Sequence, residues 1–179
     1  PEEGFQEIWK CFEYFNSVWE DRKANDKGGG DLISMLARGE ATKNMSPNEF
    51  LGNILLLIVA GNDTTRNSMS GGISAFNQYP EQLAKVKDDS SLVPGMVSEI
   101  IRWQSPVAHM CRTAMEDVEV GGKLIKKWDK VAIWYVSGNR DNSKFPDPNQ
   151  LIIDRSDVRQ HLSFGFGIHR CLGNRLADL

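Results

Sequence analysis

The chain has 179 residues, 21 Lys and Arg against 24 Asp and Glu, a net charge of −3 and 40% apolar residues. This composition fits a globular domain with a core, and it excludes a strongly basic nucleic-acid-binding protein and an acidic disordered tail. The longest apolar run, residues 54–60, is far shorter than the roughly 20 residues of a membrane-spanning helix, so we expect no membrane span.

The first predicted element is an amphipathic helix over residues 5–20, because aromatic residues and Ile recur there at three- and four-residue steps. The polar stretch from Glu20 to Gly30 ends in three glycines and predicts a mobile loop. A short apolar helix over residues 32–36 follows, with Asp31 at its start.

A capping-box pattern, Ser46-Pro47-Asn48-Glu49, opens the next helix. No strong stop follows before Tyr79-Pro80, so we predict one helix of about thirty residues, well beyond the average of ~12. Each glycine inside such a helix is unfavourable by roughly 1 kcal/mol, which indicates close packing or a local opening. The three glycines are Gly61, Gly71 and Gly72.

The second half of the chain predicts a helix over residues 94–104, a small hairpin around Gly121 and Gly122, and an apolar strand or buried turn over residues 131–136. Residues 137–160 are loop-like, with two prolines and many Asp and Asn. The chain is therefore expected to be mainly α with a small β part.

The strongest motif is Phe-Gly-Phe-Gly-Ile-His-Arg-Cys-Leu-Gly over residues 164–173. Two glycines bring the backbone close to a flat or bulky group, and we expect a helix to begin directly after Cys171. A helix N-terminus and the neighbouring His169 and Arg170 favour a thiolate there. On residue types alone, a buried structural cysteine remains the alternative.

Two further patterns lie upstream. A polar cluster, residues 60–65, follows an apolar run in the long helix, and its plain alternative is a solvated turn in which Thr64 bonds back to Ala60. Glu99 and Arg102 lie on one face of a helix, which by itself indicates only a surface ion pair.

Together these motifs resemble those of the cytochrome P-450 family. The decapeptide matches the family's haem-binding signature, F-x-x-G-x-[HR]-x-C-x-G, at every specified position. The polar cluster is similar to the family's A-G-x-D-T motif, and the acid–base pair is similar to E-x-x-R. The resemblance implies an incomplete cytochrome P-450 fold, with a long oxygen-activation helix, an E-x-x-R helix and a cysteine-ligand loop. The matching signature residues are Phe164, Gly167, His169, Cys171 and Gly173.

The resemblance also implies roles for individual residues. Cys171 would be the axial thiolate ligand of haem b, and His169 and Arg112 would bind its propionates. Thr64 would hydrogen-bond dioxygen, the co-substrate, while Asp63 would help relay protons from solvent. Gly61 would let the helix bulge to admit dioxygen, and the remaining cofactor-binding positions would be Phe164, Gly165 and Gly167.

In the family the E-x-x-R pair is buried and structural. Here the pair is Glu99 and Arg102, and the usual third member, an arginine, is replaced by Gln150 in the nearest matching element. Arg155, five residues further on, is an alternative third partner.

The amino-acid sequences of these motifs are similar to those of bacterial alkane-hydroxylating members of the family. Such members hydroxylate the terminal carbon of medium-chain alkanes and take electrons, ultimately from NAD(P)H, through a ferredoxin reductase and a ferredoxin. We expect an apolar small-molecule substrate, because the predicted pocket residues are all apolar: Leu56, Val59, Ala60, Val107, Ala108 and Met110.

Residues 1–179 are expected to form a partial domain that is truncated at both ends, and to be inactive and unable to hold haem stably on their own. The three cysteines are sparse and widely spaced, and the acidic first residues are unlike a secretory leader, so we expect a cytoplasmic protein.

Other functions remain open from sequence. They are a peroxygenase that uses peroxide without a redox partner and a non-catalytic haem carrier or sensor, both disfavoured by the acid–alcohol pair. A zinc site built from His161, His169 and Cys171 has unusual spacing and no evident fourth ligand. A c-type haem is excluded because C-x-x-C-H is missing.

Overall fold

The computed structural model describes residues 2–25 and 29–179, with side chains inside the first helix from Gln6 onward. The chain divides into two compact units, Pro1–Ala60 and Gly61–Leu179. The helices are α1 (Glu2–Ala24), α2 (Leu32–Arg38), α3 (Pro47–Gln78), α4 (Pro80–Asp88), α5 (Val93–Gln104), α6 (Tyr135–Gly138) and α7 (Asn174–Ala177). The strands are β1 (His109–Thr113), β2 (Val118–Val120), β3 (Lys123–Ile125) and β4 (Lys130–Trp134).

The core of the first unit forms where α1 packs against the start of α3. Trp19 and Phe50 are both buried, and their rings stack with centroids 4.4 Å apart. The predicted helix over residues 5–20 is confirmed, but it continues to Ala24 into the stretch predicted as a loop. This happens because Arg22, Lys23 and Ala24 are strong helix formers, and Lys23 pairs with Glu20 at 3.1 Å one turn back. Residues 26–28 of the predicted loop lie outside the described residues.

The capping box that opens α3 is confirmed. The backbone N–H of Ser46 donates to Glu49 Oε2 at 2.7 Å, and the Glu49 N–H donates to Ser46 Oγ at 3.4 Å. The predicted long helix is also confirmed, with 32 residues. At Gly71 an added Cβ would lie 2.4 Å from the side chain of Gln104, so close packing against α5 explains this glycine.

The predicted bulge at Gly61 is wrong for this structure, because α3 is α-helical without interruption through residues 60–65. An opening would leave backbone groups without partners. A Cβ at Gly61 would meet nothing within 4 Å, so the position faces open space.

The second unit contains two separate antiparallel pairs of strands, β1 with β4 and β2 with β3. The predicted hairpin is confirmed, with Gly121 and Gly122 at φ +57° and +73°. The apolar strand ends at Trp134 rather than at residue 136, because a helical turn begins at Tyr135 and is closed by the Asn139 N–H on the Tyr135 carbonyl at 2.9 Å. Helix α4 was not predicted; its first residue, Pro80, was interpreted only as a stop, although proline also favours the first position of a helix.

Across residues 2–25 and 29–179, every helix is too short or too polar to cross a membrane.

Candidate functional site

A fully buried ion pair lies at the centre of the second unit. Arg102 and Glu99 both have no exposed side-chain surface, and Arg102 Nε and Nη2 donate to the two Glu99 carboxylate oxygens at 2.7 and 2.8 Å. Arg102 Nη1 also donates to the carbonyls of Asn139 at 2.7 Å and Pro148 at 2.9 Å. The pair therefore joins α5 to the end of α6 and to the long loop that follows α6.

Arg155 is the third member of this network. Its Nε lies 3.3 Å from Glu99 Oε1, and its guanidinium also donates to the carbonyls of Pro146 and Asp147. The Ile152 N–H donates to the same carboxylate oxygen at 2.9 Å. The third partner of the ion pair, which the sequence alone did not decide, is thus Arg155, five residues beyond Gln150.

The cysteine motif forms a tight, exposed loop. The N–H of Cys171 donates to the carbonyl of Phe164 at 2.9 Å and closes the loop at its base. Gly165 and Gly167 have φ +68° and +75°, a left-handed conformation that glycine adopts without strain. The thiol of Cys171 is free and exposed, so the alternative of a buried structural cysteine is wrong.

One expectation for this loop is corrected. No helix begins directly after Cys171; residues 172 and 173 form a turn, and α7 begins at Asn174 with only four residues. A helix this short has little macrodipole, so the charge environment of the thiol depends on the neighbouring residues instead.

Large apolar side chains surround the exposed thiol in sequence. Phe166, Ile168 and Leu172 are 85%, 96% and 94% exposed. Large exposed apolar side chains this close together in sequence are typical of a binding surface. The loop therefore presents a soft sulfur ligand among apolar side chains.

The two predicted propionate donors lie on different elements. His169 is exposed within the cysteine loop, whereas Arg112 is half-buried on β1 and donates to the Cys111 carbonyl at 2.9 Å. No hydrogen bond among the described residues joins the two.

The predicted oxygen-activation residues lie on α3. Asp63 is exposed and pairs with Arg66 at 2.9 Å, one turn further along the helix. Thr64 is half-buried, and its carbonyl accepts a hydrogen bond from the Ser68 hydroxyl at 2.9 Å. The motif thus combines a carboxylate open to solvent with a more enclosed hydroxyl.

The predicted substrate-lining residues fall in both units. Leu56, Val59 and Ala60 lie on the part of α3 that belongs to the first unit, and the first two are 65% and 64% exposed. In the second unit Val107 and Ala108 precede β1, and Met110 lies on it with 48% of its surface exposed. Their common pocket stays a prediction.

A cleft of about 320 Å³ lies beside the cysteine loop. One wall is His161, whose Nδ1 accepts the Ser163 N–H at 3.2 Å. Burial, reinforced by the positive charges of Arg102 and Arg170, lowers the pKa of His161 to about 4, so it is neutral at pH 7. The other lining residues are Pro94, Ser98, Arg159, Phe164, Arg170, Arg175 and Asp178, and the three arginines are exposed.

No cluster of three or more His, Cys, Asp and Glu side chains that could hold a metal ion occurs in the described part of the chain.

Sequence reasoning missed one buried polar residue of this region, Asn139. Its side chain has no exposed surface and joins α5 to the segment that leads into the cysteine loop. An asparagine after a glycine is typical of an exposed turn, so the sequence held no signal for its burial.

Comparisons with known proteins agree on one family. The family model described as cytochrome P-450 matches residues 89–179. The linalool 8-monooxygenase of Pseudomonas putida is 41% identical over 180 residues, covering 100% of this chain and 44% of the relative. A methyl-branched lipid omega-hydroxylase of Mycobacterium tuberculosis is 42% identical over 167 residues, covering 92% of this chain and 38% of the relative.

Solved structures agree as well. A cytochrome P-450 of Novosphingobium aromaticivorans superposes with a TM-score of 0.92 at 48% identity, covering 99% of this chain and 44% of that one. The expected fold class, mainly α with a small β part, is confirmed. The chain spans less than half the length of these relatives.

Proposed function

Because the chain belongs to the cytochrome P-450 family, we propose that it is part of a haem-thiolate monooxygenase in which Cys171 is the axial ligand of the haem iron. The observation that carries this proposal is the free, exposed thiol in a loop closed by its own backbone N–H. The chain spans less than half of its relatives, so the activity belongs to a longer protein and residues 1–179 alone are expected to be inactive.

The donor set of this region fits haem. A thiolate is a ligand that iron accepts, the flanking apolar side chains suit a porphyrin surface, and cationic or N–H donors suit its two carboxylates. His169 and Arg112 are the proposed propionate donors. Phe164, Gly165 and Gly167 would shape the loop that holds the ring.

When bound, thiolate-ligated haem supplies the activation of dioxygen for insertion of one oxygen atom into a C–H bond. The overall reaction, RH + O2 + two electrons + two protons, gives ROH and water. The protein must therefore deliver protons, exclude excess water and position the substrate.

We assign proton delivery to Asp63 and Thr64. The exposed Asp63 carboxylate can exchange protons with solvent, and the half-buried Thr64 hydroxyl can pass them inward because it both donates and accepts hydrogen bonds. Proton delivery by this hydroxyl is needed when dioxygen rather than peroxide is the oxidant, so its presence favours a monooxygenase over a peroxygenase.

An apolar substrate is proposed from the apolar lining set and from the relatives, whose names give linalool and a methyl-branched lipid as substrates. Within this class, terminal hydroxylation of a medium-chain alkane is the specific proposal. A primary C–H bond is stronger than its secondary neighbours, so this selectivity requires a narrow pocket that holds the chain end in place.

A ferredoxin and its reductase, fed by NAD(P)H, are the proposed electron donors. The exposed Arg159, Arg170 and Arg175 around the cleft beside the cysteine loop support an acidic protein partner at this face. The cytoplasmic location stays a prediction.

Product analysis tests this proposal. The full-length protein, given n-octane, ferredoxin, reductase, NADH and isotopically heavy dioxygen, should form 1-octanol that carries one heavy oxygen atom. Formation of 2-octanol alone would overturn the terminal selectivity, and turnover with hydrogen peroxide but not with ferredoxin would favour the peroxygenase. Binding of haem without any labelled product would favour a carrier or sensor.

A further inference from the structure

We propose that Asn139 is a positioning residue that holds the base of the cysteine loop in the geometry needed for thiolate ligation. The inference rests on the proposed function, because it concerns how the chain presents Cys171 to haem.

The side chain of Asn139 makes three hydrogen bonds inside the protein and uses both of its amide donors. Its Nδ2 donates to Ser105 Oγ and Ser163 Oγ, both at 2.8 Å, and its Oδ1 accepts the Leu162 N–H at 2.7 Å. Its backbone carbonyl accepts from Arg102 at 2.7 Å. Asn139 therefore links the end of α5 and the buried ion pair to the segment before the cysteine loop.

A short chain of bonds leads from Asn139 to Cys171. Asn139 fixes the Leu162 N–H and the Ser163 hydroxyl, and the Leu162 carbonyl accepts the Gly165 N–H at 2.8 Å. Phe164, the next residue after Ser163, accepts the Cys171 N–H at 2.9 Å. Residues 162–164 are thus hydrogen-bonded both to Asn139 and to the backbone N–H of Cys171.

Close packing makes this contact intolerant of displacement. A Cβ on Gly138 would lie 2.6 Å from Leu162 Cδ1, and a Cβ on Gly165 would lie 3.1 Å from Tyr135 Oη. Glycine on each side lets the α6 turn and the cysteine loop approach closely. The hydrogen bonds of Asn139 then fix the position of the cysteine loop relative to the α6 turn.

Serine partners strengthen the argument. Ser163 Oγ, besides accepting from Asn139, donates to the Ile101 carbonyl at 2.9 Å, and Ser105 Oγ donates to the Arg102 carbonyl at 2.7 Å. Both serines are buried. Loss of the Asn139 amide would remove the acceptor of the Leu162 N–H and one donor to each serine hydroxyl, and the 162–164 segment could replace these bonds only by moving.

The test uses the haem-loaded full-length protein and its ferrous carbon monoxide spectrum. A thiolate ligand gives a strongly red-shifted Soret band, and loss or protonation of the thiolate removes the shift. Asn139→Ala should lower the ratio of the shifted to the unshifted band several-fold per haem bound. Ser163→Ala, which removes one of the bonds, should lower the same ratio less.

Matched controls are Asn142→Ala and Ser143→Ala, because both residues are exposed and belong to the same loop. A purely structural role for Asn139 would reduce yield and melting temperature but leave the band ratio of the remaining folded protein unchanged, and that result would overturn the inference. If Asn139→Ala does not fold, an unchanged ratio in Ser163→Ala overturns it. A wild-type protein without the shifted band would refute the proposed function itself.

Discussion

Replacing Arg102 by alanine removes five hydrogen bonds from a site with no solvent exposure. The change leaves the Glu99 carboxylate buried with Arg155 as its remaining cation, and it leaves the carbonyls of Asn139 and Pro148 without this donor. Breaking a buried pair on one side typically destabilises by about 3–5 kcal/mol, and each unpaired buried acceptor adds about 1 kcal/mol or more.

We therefore expect Arg102→Ala to lower the free energy of unfolding by about 5–7 kcal/mol, a large part of the roughly 5–15 kcal/mol that stabilises a typical protein. Arg102→Lys keeps the charge but loses the planar fork, so a smaller loss of about 2 kcal/mol is expected. Urea denaturation of the full-length protein, followed by circular dichroism at an unchanged m-value, measures both.

The chain contains a matched control for this experiment. Arg66 pairs with Asp63 at the same i,i+3 spacing and at 2.9 Å, but its side chain is 75% exposed. Arg66→Ala should change the free energy of unfolding by less than about 1 kcal/mol. Equal losses in Arg102→Ala and Arg66→Ala would refute the reasoning, because burial would then have no influence on the strength of the pair.

Three further predictions concern substitutions at single positions. The pKa of His161 is lowered from 6.5 to about 4 in the folded protein, so the unfolded state binds more protons between these values and stability falls as pH drops below 6.5. His161→Gln should reduce this loss of stability by about 2 kcal/mol at pH 5. Denaturation curves recorded from pH 7 to pH 4.5 measure the difference. Thr64→Ala should lower the alcohol formed per NADH and raise the peroxide released, with little change in thermal stability, and unchanged coupling would remove Thr64 from the proton path. Gly61→Ala should raise the free energy of unfolding by about 0.5–1 kcal/mol, because its Cβ meets open space. Gly72→Ala should gain less stability or lose it, because its Cβ would lie 3.0 Å from Ile100 Cδ1. Equal gains in the two variants would contradict the packing argument.

Local signals in the sequence were enough to predict much of the fold. The reciprocal bonds of Ser46 and Glu49, the glycine turn between β2 and β3, and the long α3 depend on neighbouring residues, and all three were predicted. The boundary at Tyr135 was missed because it depends on where the end of β4 packs, which residue types alone do not determine.

The site shows the same division. The E-x-x-R spacing predicted which two side chains pair, but burial of the pair came from the family resemblance, and the third partner, Arg155, is determined by the course of the 146–155 loop. Asn139 was missed because its side-chain hydrogen bonds reach residues 23 to 34 positions away in sequence. Long-range polar contacts of this kind leave no local pattern.

The ferrous carbon monoxide difference spectrum of the full-length protein tests the central claim, ligation of haem by Cys171, most directly. Cys11 and Cys111 are also free and exposed, so Cys11→Ala and Cys111→Ala are matched controls. The strongly red-shifted Soret band should be present in the wild type and in both controls, and absent in Cys171→Ala. A shifted band that persists in Cys171→Ala, or haem bound by the wild type without the shift, would contradict the account.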